Sequence, residues 1–74
     1  MNSKTVTVIK RSKWDKKPGN LPARIILWHR KGDDSYITHM EVKQENGALG
    51  FIWGHYDMTK AAALKDFARR VKKL

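Results

Sequence analysis

Imidazoles are the first side chains to test for chemistry, because they serve as bases, acids and metal ligands near neutral pH. The chain has three, His29, His39 and His55, and no cysteine. Their spacing matches no metal-ligand motif, and a strand pairing that puts His29 near His55 on a core face suits a structural role for both. Asp33-Asp34 lies in a turn-like Gly-Asp-Asp-Ser stretch and reads as turn chemistry. No phosphate-binding glycine loop, nucleophile elbow or metalloprotease helix is present. The sequence therefore predicts no catalysis, no cofactor and no metal.

Cations and rings remain. Arg24, Trp28 and Arg30 alternate along one strand, so they project from one side of it, and His39, Lys43 and Tyr56 fall on the same side in neighbouring strands. Guanidinium and ammonium groups engage phosphates while rings stack on bases, so interleaving the two suits nucleic acid. The segment Ser12 to Pro22 (SKWDKKPGNLP) is a loop by its Pro-Gly, Asn and second Pro. With the residues before it, it supplies Lys10, Arg11, Lys13, Trp14, Lys16 and Lys17, a basic run able to follow phosphates. The bland alternatives are a solvated charge run, Trp14 pinning the loop to the core, and Trp28 covering a sheet weakened by glycines.

The elements that must carry these residues are short. Thr5–Lys10 and Ala23–Lys31 are β-branched or apolar strands, residues 32–35 a turn, Tyr36–Glu45 a third strand and Ala48–Tyr56 a fourth. Asn46-Gly47 predicts a two-residue type I′ hairpin, with positive φ at both positions. From Thr59 to near Leu74 the period becomes helical, with Leu64, Phe67, Ala68 and Val71 as the apolar stripe and Asp57 or Thr59 as the cap. These turns pair Val42 with Phe51, Met40 with Trp53, Leu27 with Met40 and Ile25 with Val42. One face then holds Ile25, Leu27, Met40, Val42, Phe51 and Trp53, and the helix packs there. The other holds the cationic and aromatic set together with Ile26, Ile37, Glu41, Gly50, Ile52 and Gly54. The expected fold is α+β: a four-stranded, mainly antiparallel sheet with one C-terminal helix on one face, as a single small domain over residues 1–74.

Charge and size narrow the partner. Sixteen Lys and Arg stand against seven Asp and Glu, a formal +9 over 74 residues. Residues 1–31 carry +8, residues 32–59 carry −4 and residues 60–74 carry +5, so the excess sits at the two ends. Arg69, Arg70, Lys72 and Lys73 suit the negative end of the helix dipole and extend the basic field. An excess of this size favours an anionic partner. No apolar run is long enough for a membrane span, so no membrane partner is expected, and the lack of cysteine fits a reducing, cytoplasmic setting.

The stretch Gly54-His55-Tyr56-Asp57-Met58-Thr59, followed by Ala61-Ala62-Ala63 and Phe67, resembles the last strand and helix of AP2-type and integrase arm-binding DNA-binding domains. There Gly-x-aromatic-x-Thr leads into an Ala-rich helix, and a three-stranded sheet lies in the major groove with Arg and Trp projecting. The resemblance spans about residues 23–71 and implies that role for Arg24, Trp28 and Arg30. Met58 adds a residue before Thr59, and the first strand and its loop are additional. Similar junctions occur in small proteins of phages and mobile elements. The expected function is nucleic-acid binding, double-stranded DNA ahead of RNA, through the outer sheet face and the Lys-rich loop. The alternative is a phage-type inhibitor or adaptor, anti-CRISPR-like for example, that binds a host protein or nucleic-acid-processing complex. Either a monomer or a homodimer is compatible with the sequence.

Overall fold

The computed structural model describes residues 6–74. Four strands, β1 (Val6–Arg11), β2 (Ala23–Arg30), β3 (Ser35–Lys43) and β4 (Leu49–Met58), form one antiparallel sheet in the order β1-β2-β3-β4. The helix α1 (Lys60–Lys72) packs on one side of it, chiefly against β2 and β3. This is the expected ββββα arrangement. Thr5, the expected start of the first strand, lies outside the described residues. Among those residues no helix is long and apolar enough to cross a membrane.

Helix formation follows from local chemistry. Thr59 is the N-cap, its side chain accepting from the Ala62 amide, and an Ala-rich first turn follows. Below the helix, Ile25 and Leu27 are fully buried with Ala63 and Phe67, and Tyr36, Met40, Met58, Val71 and Leu74 pack around them. The expected stripe is rotated, however. Leu64 is 37% exposed and Ala68 is exposed, whereas Asp66 is 4% exposed on the buried side. Phe67 and Val71 of that stripe do meet the core, but Ala63, Asp66 and Arg70 turn toward the sheet in place of Leu64 and Ala68, because Asp66 finds hydrogen-bonding partners there that an apolar stripe would not need.

Two turns set the register, and both depart from expectation. The β2–β3 turn occupies Lys31–Asp34, with Arg30 opposite Ser35 and Asp34 at φ 53°. Ile25 therefore faces Met40, and Leu27 faces Thr38. That is two residues from the expected pairing, and side chains alternate with period two, so every one keeps its face. The β3–β4 turn changes faces. Only Gly47 has positive φ (87°), not Asn46. The Gln44 amide donates to the Ala48 carbonyl and the Gly47 amide to the Gln44 carbonyl, which makes a three-residue loop, Glu45-Asn46-Gly47, with glycine in the left-handed position. Asn46 contributes its side chain instead, accepting from the Ala48 amide.

The extra loop residue slips β4 by one. Met40 faces Ile52, Val42 faces Gly50 and Glu41 faces Phe51. Gly50 and Ile52 thus lie on the helix side, and Phe51, expected in the core, lies on the free face. Bulges between Tyr36 and Met40 on the pairing ladder then shift the rest of β4, where Trp53 (φ 51°) and Asp57 (φ 58°) take left-handed backbone. Trp53, expected to be buried against Phe67, is 66% exposed at the first of these bulges. β1 carries its own irregularity between Val8 and Lys10.

Gly47→Val isolates the turn. No atom lies within 4 Å of a Cβ built at Gly47, so the cost is conformational alone. A β-branched residue at this φ is expected to lower stability by about 1–3 kcal/mol, read as the denaturation midpoint in urea. An unchanged midpoint would rule out the left-handed glycine.

Candidate functional site

The helix leaves one sheet face uncovered. By the observed pairing that face carries Val6, Val8 and Arg11 from β1, Arg24, Ile26, Trp28 and Arg30 from β2, Ile37, His39, Glu41 and Lys43 from β3, and Leu49, Phe51, Gly54 and Tyr56 from β4. Four rings meet at its centre. Phe51 lies edge-on to Trp28 at 5.8 Å and tilted over His39 at 5.6 Å, and Tyr56 stands edge-on to His39 at 5.3 Å. His39 Nε2 shares a 2.8 Å hydrogen bond with the Tyr56 hydroxyl. Gly54 makes that arrangement possible: a Cβ there would lie 2.6 Å from the Tyr56 ring and 2.7 Å from His39 Nε2.

Phe51 and Tyr56 are each about half exposed, at 49% and 53%, while Trp28 is half-buried. Ile26 and Ile37 are buried on this face. Burial first, and then the charge of Arg70, lower the His39 pKa, so His39 is neutral at neutral pH and offers a ring rather than a cation. Trp28 Nε1 and His39 Nδ1 are buried with no hydrogen-bond partner among the described residues.

The arginines expected to be free are tied down. Arg24 donates through Nε to Glu41 Oε1 at 2.6 Å, and its guanidinium lies 4.3 Å from the centre of the Trp14 ring. Glu41 is 3% exposed, so Arg24 neutralises a buried carboxylate. Arg30 bonds both oxygens of Asp33 and one of Asp57. Those bonds raise its pKa, and with the Ser35 hydroxyl they push the Asp33 carboxyl down to about 2. Trp14 sits on the free face as a lid on Arg24; it does not pin the loop into the core.

The basic loop divides between the two faces. Asp15 bridges to Ala23 and the Ser12 amide donates to the Ile25 carbonyl, so the start of the loop extends the pairing along β2. Arg11 projects from the free face, and Lys13 is exposed. Lys10 is on the other side, its ammonium 5.4 Å from the centre of the Phe67 ring, and leaves the candidate surface for that reason. Lys16 and Lys17 line a groove on the helix side, where Lys17 also bonds Asp15 and the Leu74 carbonyl. Lys43 stands at the hairpin end, beside that groove.

A polar cluster that the sequence did not announce lies under the helix. Asp66 Oδ2 accepts from the Thr38 hydroxyl at 2.5 Å and faces His55 Nδ1 at 2.8 Å, while Oδ1 accepts from Arg69 at 2.5 Å. Arg70 donates to the Thr38 hydroxyl oxygen at 2.9 Å and to the Trp53 carbonyl. The histidines therefore have separate partners: His55 has Asp66, His29 has Asp34 with its ring stacked on Tyr36, and His39 has Tyr56. No group of three or more His, Asp or Glu side chains able to hold a metal occurs among the described residues.

The fold and this face define a small basic α+β domain with an aromatic cluster on its open sheet. Comparison with protein-family models, with curated proteins and with solved structures finds no match.

Proposed function

We propose that the free sheet face binds nucleic acid, DNA in the first instance, with Phe51 and Tyr56 stacking on bases and Arg11, Lys13 and Lys43 meeting the backbone. The observation that carries this is the four-ring cluster, solvent-facing at Phe51 and Tyr56, on a chain of formal charge +9. Charge supports it from a second direction. Six of the seven acids already have a basic or histidine partner, so most of the basic side chains remain uncompensated.

Arg24 and Arg30, which a major-groove mode would use to read base edges, are committed to acids. Half-exposed rings, by contrast, suit unpaired bases. The test is a gel-shift titration of the whole chain against single-stranded and duplex DNA and against RNA of one length, at two salt concentrations. Single strands should bind more tightly than duplex, and affinity should fall as salt rises. Absence of retardation with every oligonucleotide would end this reading. A protein partner is the second possibility, favoured by one observation: Leu49 and Phe51, at 51% and 49% exposure, form an apolar edge on β4 in line with Glu41 and its neutralised partner Arg24.

A further inference from the structure

Trp53 is the most exposed large apolar side chain on the described surface, and it is held there by force. Its φ of 51° is a conformation that bulky L residues avoid, and it sits where a bulge shifts the pairing of β3 and β4. The strand does not wander into this geometry. Arg70, itself bonded to the Thr38 hydroxyl that Asp66 anchors, reaches out from the helix to fix the Trp53 carbonyl.

The indole overlooks a groove between the 12–22 loop, the β3–β4 hairpin and the end of α1. Two connected hollows of about 1080 and 500 Å³ share Leu21 and Val42 there. Met40, Val42 and Ile52 form the floor, because α1 covers only part of the helix-side face. Lys16 and Lys43 line one hollow, Lys73 the other. Of the acids along them, Asp15 is already paired with Lys17, which leaves Glu45 alone.

We propose that this groove is a second nucleic-acid contact, taking a stretch of single strand with one base against Trp53 and phosphates along Lys16 and Lys73. It rests on the reading of the protein as a nucleic-acid binder, but not on the free face. An apolar floor with an indole and an ammonium rim matches what single strands require. A second copy of the chain fits less well, since two-fold pairing of this surface would set its lysines against themselves. The molecule is 16 Å through its thinnest dimension, so the two contacts lie back to back and one protein joins two strands.

A bridging assay tests this. Biotinylated single-stranded DNA on beads, loaded with the full chain, should capture a second, fluorescent single strand. Trp53→Ala should lower capture about tenfold while the first strand still binds, and Trp53→Phe should restore it. Phe51→Ala should instead weaken the free-face contact. Capture by Trp53→Ala equal to wild type would overturn the groove alone. Wild-type affinity in Phe51→Ala, with binding lost in Trp53→Ala, would keep the groove and overturn the free face. A protein dimer that forms without DNA and dissociates on Trp53→Ala would give the groove to a second copy and overturn the proposal.

Discussion

Asp66→Ala is expected to cost about 2–3 kcal/mol of folding stability, the value for losing hydrogen bonds to a buried charge. For a domain of this size that corresponds to a fall in melting temperature of roughly 10–20 °C. The carboxylate is 4% exposed and takes bonds from Thr38, His55 and Arg69, so it joins the helix to β3 and β4 at one point. His55 and Arg69 reach solvent and can rehydrate when it is removed, which keeps the loss below that of a fully buried pair. Acid should have a related effect. Burial raises the Asp66 pKa, but the bonds from Thr38, His55 and Arg69 outweigh it, and the net shift is downward. A carboxyl lowered in the folded state contributes stability above its unfolded pKa, near 3.9, and loses it as pH falls through the folded value. Wild-type stability should therefore decline on acidification below about pH 4, and the decline should be shallower in Asp66→Asn. Thermal melts of the three proteins between neutral and acid pH decide this. Equal melting temperatures for wild type and Asp66→Ala would show that the cluster contributes nothing.

Such a helix seam was hard to read in advance. Leu64, Phe67, Ala68 and Val71 form a good apolar stripe, and Ala63, Asp66, Phe67, Arg70 and Leu74 have helical spacing too. Hydrophobicity alone prefers the first. Only partners on other strands, Thr38 and His55, select the second. The register of β2 against β3 was more forgiving, since an error of two residues preserves both faces. β4 was not. Leu49-Gly50-Phe51-Ile52-Trp53 is apolar or glycine at every position, so no alternation marks its inward side. Its facing then depends on whether Asn46-Gly47 closes a two-residue or a three-residue loop, and both accept that dipeptide. One residue of loop length moved Phe51 into the candidate site and Ile52 out of it. The facing of Arg24, Trp28, Arg30, His39 and Lys43 was legible because β2 and β3 alternate cleanly, whereas Tyr56 reaches the expected face because the bulges in β4 reverse the slip made at the hairpin. The acids that restrain Arg24 and Arg30 were not, being brought in by pairing and turns.

Phe51→Ala carries the largest expected effect on binding. If its ring stacks on a base, removing it should weaken single-stranded binding by about 1–3 kcal/mol, roughly 5- to 150-fold, with little change in salt dependence. Lys43→Ala should do the opposite, weakening binding modestly and reducing the salt slope by about one counterion. Phe51 is half exposed, so folding should tolerate its loss, and circular dichroism with a melt establishes that before binding is read. Arg24→Ala is a poorer probe, because it strands the buried Glu41 charge and would confuse unfolding with lost contact. Full affinity in Phe51→Ala would remove the ring cluster from the interface.

The bulges have a consequence for crowding at high concentration. β1 and β4 are the outer strands of the sheet, and each interrupts its own ladder, β1 between Val8 and Lys10 and β4 around Trp53 and Asp57. An outer strand with a straight run of free amides and carbonyls is a template for fibril growth, and an interrupted one is not. Along β4 only Leu49–Ile52 pairs with β3 in unbroken register, a run too short to seed a steric zipper. The same kinks that aim Trp53 into the groove therefore also guard an apolar, solvent-facing sheet against stacking edge to edge into amyloid.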